Sequence, residues 1–462
     1  MPKLFKTIEY LFYFFIFLLP WQTRWIWHYG KLGEGASEYL TFSLYGTEIL
    51  LLAIFILALI YRYKSKADEA NVLNYKILDF YILFFLLFII AALTILWAQS
   101  TQVAFYYLIK FLTGFALLIF IINFKFSFKK IGWALVLAGL GQALLGICQF
   151  LTQQVLANKW LGLAEQLPQT LGVSVIEFNG LRLLRAYGAF AHPNILAGFL
   201  AICLIVLIVL LILAKSKKQS LFLWLCLPII LAGLFFTFSK SAFLALAVGL
   251  VFLIIFVFLS KDSPARIIFS QALFVIFAVL AILFLIYQQP VLTRLAGEAR
   301  LEEKSLAERS LYFEQAKDLI KENWFKGVGL GNYTLALYNQ DAEKKPSYTY
   351  QPVHNVYFLV ATELGILGFV IFIIIILEGL RRIWQLKIDE RIGLLKIFGW
   401  FKFAGIYDFY RRCFYWLLGL TAVLIIILTL MVFDHYFWTQ YFGIMLWWLM
   451  AGLWLKQVAL VK

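Results

Sequence analysis

Charged residues are scarce in this chain of 462 residues, where Asp, Glu, Lys and Arg together make up 14%. In a soluble globular protein about a quarter of the residues are charged. Hydrophobic residues reach 63% and the mean hydropathy is +0.88. This composition excludes a soluble enzyme and a disordered or fibrous protein. It predicts an all-α, polytopic integral membrane protein.

Cysteine is also rare, with four residues and no CxxC pair or Cys/His cluster, which excludes a zinc signature and a disulfide framework. No group of Asp and Glu with metal-ligand spacing lies in the segments predicted to face outward, so we expect no metal. The glycine-rich segment 327–331 fits neither a P-loop nor a dinucleotide fingerprint and is interpreted as a turn. We therefore expect no cofactor.

Apolar runs long enough to cross a membrane, which takes about 20 residues each, predict about twelve transmembrane helices. They lie at 8–27, 40–62, 77–97, 103–123, 131–151, 194–214, 220–239, 241–259, 267–287, 355–379, 413–433 and 440–456. The first run resembles a signal sequence but lacks a small-residue cleavage site, so it is interpreted as a retained helix.

The net charge of +15 indicates an orientation in the membrane rather than nucleic-acid binding, because no compact basic domain is present. Lys and Arg concentrate in the short loops on one side, which the positive-inside rule assigns to the cytoplasm. Both termini are then cytoplasmic, and the protein is expected in the cytoplasmic (inner) membrane of the cell.

This topology divides the chain into three parts. Residues 1–286 hold nine predicted transmembrane helices, and residues 287–354 form a large extracytoplasmic loop with an amphipathic helix at 298–324. Residues 355–462 hold three more helices. The basic, aromatic segment 380–412 is predicted to lie in the cytoplasmic membrane interface, with a simple connector as the alternative. The polar, Tyr-rich segment 334–353 is expected to be irregular.

All four histidines fall at the predicted outer face, and three of them stand in short polar segments at helix ends. His28 lies instead among aromatic residues typical of a membrane interface. The polar segments comprise Arg185, His192 and Asn194; Thr237, Ser239 and Lys240; Arg309; His354 and Asn355; and Asp434 with His435.

Arginine and lysine at a membrane surface suit a phosphate or diphosphate, and a histidine can accept a proton from an attacking hydroxyl. The simpler alternatives are that each cation neutralises lipid headgroups and that Asn355 only caps a helix. Lys110, inside the fourth predicted helix, is either a functional buried cation or one that reaches outward to the interface.

These segments, in this order, resemble those of the O-antigen ligase and polymerase family, which are membrane-embedded glycosyltransferases of the GT-C type. The resemblance rests on Arg185, Gly188 and His192-Pro193-Asn194; the Thr237-x-Ser239-Lys240 turn; Arg309 ahead of Trp324 and GVGLGNY; and His354-Asn355-x9-Gly365. The family usually has Arg where this chain has Lys240.

The resemblance implies a metal-independent, inverting transfer of a glycan from undecaprenyl diphosphate to an acceptor hydroxyl at the outer face of the membrane. His354 and Arg309 would be the catalytic residues. Arg309 and Lys240, with Arg185, would bind the diphosphate. Asn355, His192, Asn194, Asp434 and His435 would support the site.

The resemblance leaves the acceptor open among a lipid core (a ligase), a second lipid-linked glycan (a polymerase) and a protein hydroxyl (an oligosaccharyltransferase). The expected partners are the lipid-linked donor, a glycan or lipid-core acceptor and membrane lipid, with no nucleic acid. The alternative class is a transporter or flippase of lipid-linked glycans, which also has twelve helices. Transporters place their charged residues near the membrane midplane, whereas here they lie at one face.

Overall fold

The computed structural model describes residues 2–65, 75–260, 262–297, 299–385 and 404–461. Sixteen α-helices lie in these ranges. They are α1 (Pro2–Leu18), α2 (Gly46–Ser65), α3 (Leu78–Leu93), α4 (Thr101–Asn123), α5 (Phe128–Thr152), α6 (Pro193–Ile212), α7 (Lys217–Phe235), α8 (Lys240–Leu259), α9 (Ser263–Ile286), α10 (Gln288–Ala296), α11 (Arg300–Asn323), α12 (Tyr333–Gln340), α13 (Val356–Gln385), α14 (Ala404–Phe433), α15 (Tyr436–Thr439) and α16 (Tyr441–Val461).

Eleven helices in the described ranges are long and apolar enough to cross a membrane. These are α2 to α9, α13, α14 and α16, and each covers most of a predicted apolar run. The remaining predicted run begins in α1, which is apolar but has 17 residues. The prediction of an all-α, multi-pass membrane protein is confirmed.

The core of the bundle is built around two central helices. Every residue of α6 is buried, and α6 packs against α5, α7, α8 and α14. The second central helix, α16, packs along α4 and α14. By contrast, α9 exposes Phe274, Phe277 and Leu285, as a lipid-facing helix does because lipid tails are themselves apolar.

In the described residues, three small two-stranded antiparallel sheets lie between helices, and the apolar runs did not predict them. Strand β1 (Arg24–His28) pairs with β4 (Phe42–Tyr45), and β2 (Lys31–Leu32) pairs with β3 (Gly35–Ala36). Strand β5 (Val175–Phe178) pairs with β6 (Leu181–Leu184). Pairing within such a sheet satisfies backbone groups of segments that leave the helical bundle.

One end of the bundle carries most of the non-helical chain, and we call it the loop face. It comprises residues 20–45, 153–192, 236–240, 287–355 and 434–440, and contacts among these segments hold it together. The predicted amphipathic helix is present as α11. The segment after it is more regular than predicted, because residues 333–340 form α12.

The glycine-rich segment 327–331 is a tight turn that packs against α13. The backbone N–H groups of Val328 and Gly329 donate to the carbonyls of Thr362 and Glu363 at 2.9 and 3.0 Å. Gly365 has φ +66°, so the backbone of α13 is not helical there. A Cβ at Gly365 would lie 2.2 Å from the Phe325 carbonyl oxygen, so only glycine allows this approach.

The predicted interfacial segment 380–412 falls largely outside the described residues. Its described ends belong to α13 and α14. At this end of the bundle Arg382 pairs with Glu378 at 2.5 Å and with Asp79, and Lys215 pairs with Asp408.

Candidate active site

The centre of the site is His354, at the point where the long loop enters α13. Asn355 caps that helix, because its side-chain oxygen accepts the backbone N–H of Phe358 at 3.1 Å. The amide of Asn355 also donates to the carbonyl of Val432, at 3.0 Å, near the end of α14. Asn355 therefore caps the helix and also holds the start of α13 against the end of α14.

The turn that follows α14 brings a carboxylate to the histidine. His354 Nδ1 lies 3.6 Å from the Oδ1 atom of Asp434, within ion-pair distance but slightly too far for a hydrogen bond. Nδ1 is buried and has no hydrogen-bond partner among the residues that the structure describes, whereas 30% of the side chain is exposed. Nε2 is therefore the nitrogen of His354 that remains for a substrate.

Asp434 is itself held in place by its neighbours. Its Oδ1 accepts the backbone N–H of His435 at 2.8 Å, and its Oδ2 accepts the side-chain amide of Asn194 at 3.3 Å. Burial alone would raise the pKa of Asp434, but His354 outweighs it and lowers that pKa well below its usual range. The carboxylate is ionised at neutral pH and can orient and stabilise a protonated His354.

His435 and His192 flank the pair as neutral rings. The ring centroids of His354 and His435 are 5.0 Å apart, and His435 Nδ1 is 2.7 Å from Thr439 Oγ1. Burial, followed by the nearby His354, lowers the pKa of His435 to about 3. Burial, followed by Arg185, lowers the pKa of His192 to about 3. Neither ring adds a positive charge beside His354 at neutral pH.

Arg185 is a buried organiser of this face. Its guanidinium donates to the Thr237 carbonyl at 2.6 Å, to Ser174 Oγ at 2.8 Å and to Asn194 Oδ1 at 2.8 Å. Because Asn194 also donates to Asp434, Arg185 is connected to Asp434 by two hydrogen bonds in series. The Arg185 side chain is 3% exposed and is therefore buried in the protein, whereas the sequence indicated a cation at the membrane surface.

His192 caps α6, with its Nδ1 accepting the backbone N–H of Asn194 at 3.1 Å, and Pro193 occupies the first turn. Proline suits that position because its missing N–H would have no partner in the helix. The cap fixes the direction of Asn194.

The second part of the site is a cluster of cations at the start of α8. Lys240 Nζ donates to the carbonyl of Arg294 at 2.7 Å and lies 3.7 Å from Glu302 Oε2. Arg294 Nε donates to the Phe238 carbonyl at 3.3 Å, and its Nη1 contacts Glu302. Phe238 is buried with φ +48°, an uncommon conformation for a large residue, which turns its carbonyl towards Arg294.

We call Arg185, Lys240, Arg294 and Arg309 the cation cluster. Burial, followed by the charge of Arg294, lowers the pKa of Arg185 to about 9, and Arg309 acts in the same direction. Arg185 remains charged at neutral pH. Within the part of the chain that the structure describes, Glu302 is the carboxylate that binds this cluster directly. Four cations beside one carboxylate favour an anionic ligand.

Arg309 projects from α11 towards the same place. The described residues offer it no hydrogen bond or ion pair, yet its charge acts on both Arg185 and Lys240. One turn further along α11, the ring of Tyr312 stacks 6.1 Å from that of His354. Arg309 therefore lies near both the other three cations and the histidine, with its guanidinium available.

His354, Asp434 and His435 also place three possible ligand atoms within 4.8 Å of one another. This grouping is sterically able to hold a metal ion, although the sequence predicted none. Two of these three side chains already have hydrogen-bond partners in the protein. His435 Nδ1 bonds Thr439, and Asp434 accepts two N–H groups, so the three residues are not held as metal ligands alone.

The structure brings together the site residues predicted from the sequence, and it adds Arg294, Glu302, Tyr312 and Thr439. Sequence reasoning missed them because each stands in a helix of the loop face with no motif around it. Lys110 is separate. It pairs with Glu48 at 2.5 Å and is 4% exposed, so it does not reach outward to the interface.

The fold and the site together define a multi-pass membrane protein with a histidine–carboxylate pair beside clustered cations at one face of its bundle. Residues 225–373 match a family model described as O-antigen ligase. The match confirms the resemblance to the O-antigen ligase and polymerase family, and the matched segment contains Lys240, Arg294, Arg309 and His354. It supports a part in surface polysaccharide assembly of the O-antigen ligase type, with glycosyl transfer as the activity. No curated protein matches the chain.

Proposed function

We propose that this protein transfers a glycan from undecaprenyl diphosphate to an acceptor hydroxyl, with inversion at the anomeric carbon and without a metal. The observation that carries the proposal is that His354 lies beside an ionised Asp434 and contacts Tyr312, one turn along α11 from Arg309 of the cation cluster. A base and an anion site are then close enough to act on opposite sides of one reacting carbon. Inverting attack requires this arrangement, because the nucleophile and the leaving group occupy opposite sides.

In this proposal the cation cluster binds the diphosphate. Arg309 and Arg294 offer planar guanidinium groups that can bind two phosphate oxygens each, and Lys240 contributes a point charge. These charges stabilise the leaving diphosphate as the glycosidic bond to phosphate breaks. Arg185 acts mainly through Asn194, because its own side chain is buried among protein acceptors.

His354 Nε2 takes the proton of the acceptor hydroxyl as its oxygen attacks the anomeric carbon. Asp434 stabilises the imidazolium that results, in the same role that a carboxylate has in other His-based general-base sites. The products are the extended glycan and undecaprenyl diphosphate. No nucleotide is needed, because the diphosphate linkage supplies the driving force.

We place the loop face, including the large loop 287–354, on the outer side of the cytoplasmic membrane, with both termini in the cytoplasm. The excess of Lys and Arg in the short loops at the opposite end supports this orientation. Residues 1–286 and 355–462 would then supply the transmembrane helices on either side of that loop, and 380–412 would lie on the cytoplasmic side.

The test is transfer by purified protein in nanodiscs given an undecaprenyl-diphosphate-linked glycan, with the products separated on a gel. We expect wild-type protein to extend the glycan, or to modify an added lipid core, and to release undecaprenyl diphosphate. His354→Ala should lose transfer, whereas His28→Ala, at an exposed position, should retain it. Transfer by His354→Ala at a near-normal rate would remove His354 as the base.

The same preparation separates this proposal from transport. Movement of the donor across sealed vesicles with no cleavage of the diphosphate linkage would identify a transporter. A ladder of longer glycans from donor alone would identify a polymerase, modification of the lipid core a ligase, and modification of a protein hydroxyl an oligosaccharyltransferase.

A further inference from the structure

A tyrosine-lined pocket with a cavity volume of about 170 Å³ opens on the loop face. Six of the 24 tyrosines of the chain line it, and Arg24, Glu38 and Lys110 supply charged groups. The tyrosines are Tyr39, Tyr45, Tyr106, Tyr107, Tyr187 and Tyr441. No residue of the cation cluster is among the residues that line this pocket.

The pocket reaches the candidate base through a continuous series of contacts. The ring of Tyr39 lies 5.7 Å from that of His435, which lies 5.0 Å from that of His354. Thr439, another lining residue, has its hydroxyl 2.7 Å from His435 Nδ1. His354 also contacts Tyr312, which is one turn along α11 from Arg309. His354 is therefore connected both to the pocket and to the helix that carries Arg309.

The pocket is rigid as well as aromatic. The rings of Tyr45 and Tyr441 stack with centroids 4.3 Å apart. The hydroxyl of Tyr39 donates to Gln351 Oε1 at 2.9 Å, and that of Tyr107 to the Tyr39 carbonyl at 3.3 Å. Ring positions held by such contacts lose little entropy when a ligand binds.

A buried ion pair forms part of the pocket wall. Lys110 donates to Glu48 at 2.5 Å and to the Ser43 carbonyl at 3.0 Å, and its ammonium lies 4.9 Å from the centre of the Tyr106 ring. Two of its three N–H donors are thus occupied, with no oxygen partner for the third among the described residues. An ionisable residue this deep in a transmembrane helix points to a functional site.

We propose that this pocket is the acceptor subsite and that it binds a saccharide whose hydroxyl attacks the donor. Aromatic faces pack against the C–H surfaces of a sugar ring, while Arg24, Glu38 and Lys110 can hydrogen-bond its hydroxyls. The inference rests on the proposed function. If the diphosphate occupies the cation cluster, the attacking hydroxyl must lie beside His354, and this pocket adjoins His354 through Tyr39, Thr439 and His435.

In the step itself, the acceptor oxygen forms the new bond to the anomeric carbon, and the bond from that carbon to the phosphate oxygen breaks. The electron pair leaves with the diphosphate, and the acceptor proton passes to His354. The acceptor is a sugar hydroxyl, on either a lipid core or a second lipid-linked glycan. The two sources share the chemistry that the pocket recognises.

The first test is steady-state transfer by Tyr39→Leu and Tyr39→Phe proteins in nanodiscs, with donor and acceptor concentrations varied separately. Tyr39→Leu should raise the KM for the acceptor about tenfold, as expected for the loss of one aromatic contact. It should leave the KM for the donor unchanged. Tyr39→Phe keeps the ring and should resemble wild type more closely. If Tyr39→Leu fails to fold, Tyr106→Leu replaces it with the same expectation.

The matched control is Tyr348→Leu, which changes an exposed tyrosine outside the pocket, with 73% exposure, and should leave both KM values unchanged. A higher KM for the donor in Tyr39→Leu would mean that the pocket holds the donor glycan and would overturn the proposal. Unchanged KM values in both Tyr39→Leu and Tyr106→Leu would overturn it too, as would transfer to a protein hydroxyl alone.

A binding measurement distinguishes failure of the subsite from failure of the proposed function. The probe is the lipid-free glycan released from the donor by mild acid, observed by saturation-transfer NMR with the whole protein. Wild-type protein should transfer saturation to the glycan, and Tyr39→Leu should lose most of it. This result would support the saccharide subsite even if no transfer occurred, whereas equal signals from both proteins would contradict it.

With donor-linked glycan and lipid core offered as competing unlabelled ligands, the same NMR signal identifies the source of the acceptor. Displacement by the lipid core indicates a ligase acceptor. Displacement by the lipid-linked glycan alone indicates a polymerase acceptor.

Discussion

The Nδ1 atom of His354 and the Oδ1 atom of Asp434 lie 3.6 Å apart, although 80 positions separate the two residues in the chain. A small rotation of the histidine ring would make this contact a hydrogen bond. Asn194 and the backbone of His435 already hold the carboxylate in position. The pair therefore has the form of a base with its orienting anion.

Asp434→Asn should lower kcat about a hundredfold, which is within the usual contribution of general-base catalysis. An amide retains the shape of the side chain but lacks the charge that stabilises a protonated His354. The KM for the donor should change little, because Asp434 is on the histidine side of the site. The measurement is steady-state transfer in nanodiscs. Asp318→Asn, an exposed change on α11, is the control and should be active. A normal kcat in Asp434→Asn would rule out the orienting role.

Arg309→Ala should reduce transfer about a hundredfold, as expected when one group that stabilises developing charge is removed. Arg309→Lys should keep part of the activity, because a lysine retains the charge without the planar pair of donors. Arg300→Ala is a matched control on the same helix, since Arg300 is exposed and pairs with Glu177 at 2.7 Å. Equal losses in Arg309→Ala and Arg309→Lys would indicate that geometry, rather than charge, matters at this position.

Removal of divalent metal with EDTA should leave the transfer rate unchanged, because the proposed reaction uses fixed cations in place of a metal. The test is directed at one possible metal site, which is the grouping of His354, Asp434 and His435. The possible ligand atoms of these residues lie within 4.8 Å of one another. Activity should be measured before and after chelation, together with the metal content of the protein. Inhibition by EDTA that Mg²⁺ or Zn²⁺ reverses would show that this grouping holds a metal and not a free base.

Acidification should destabilise the protein partly through His192. Burial, followed by Arg185, lowers its pKa from 6.5 to about 3. Below about pH 6.5 the unfolded chain binds a proton there that the folded protein does not, so the free energy of unfolding falls as the pH falls towards 3. His192→Asn keeps an acceptor for the helix cap and removes the titration.

The unfolding temperature of wild-type protein should therefore fall more steeply than that of His192→Asn between about pH 6.5 and pH 4.5. The two proteins should have similar unfolding temperatures above neutral pH, and this comparison serves as the control for the cap. Parallel curves over the acidic range would contradict the prediction. They would mean that His192 gains its proton equally in the folded and unfolded states.

Much of the membrane architecture could be predicted, because an apolar run of about 20 residues has one stable way to satisfy its backbone in lipid, which is a helix. The amphipathic period over 298–324 likewise predicted α11. The pairing of β1 with β4 was missed, since β4 is as apolar as the helix that follows it. Segment 334–353 was expected to be irregular, yet packing against its neighbours makes Tyr333–Gln340 helical.

The candidate site was predicted in its residues but not in its arrangement. His354 and Lys240 stand in recognisable polar segments at helix ends, and Arg309 stands in the predicted amphipathic helix. Nothing in the sequence near Arg294 marks it, because its role depends on the turn of Phe238 and on Glu302. The tyrosine-lined pocket was also missed, since its tyrosines come from segments spread along the chain.

The sequence by itself determined that this chain spans a membrane many times and that its histidines and several cations gather at one end. Hydropathy and charge are properties of each residue, so their pattern along the chain is enough to predict these two features. The tertiary structure decided that Asp434 meets His354, that Arg185 is buried while Arg309 stays available, and that six tyrosines enclose one pocket. These relationships join residues far apart in sequence, and they exist only once the helices pack and bring their ends together.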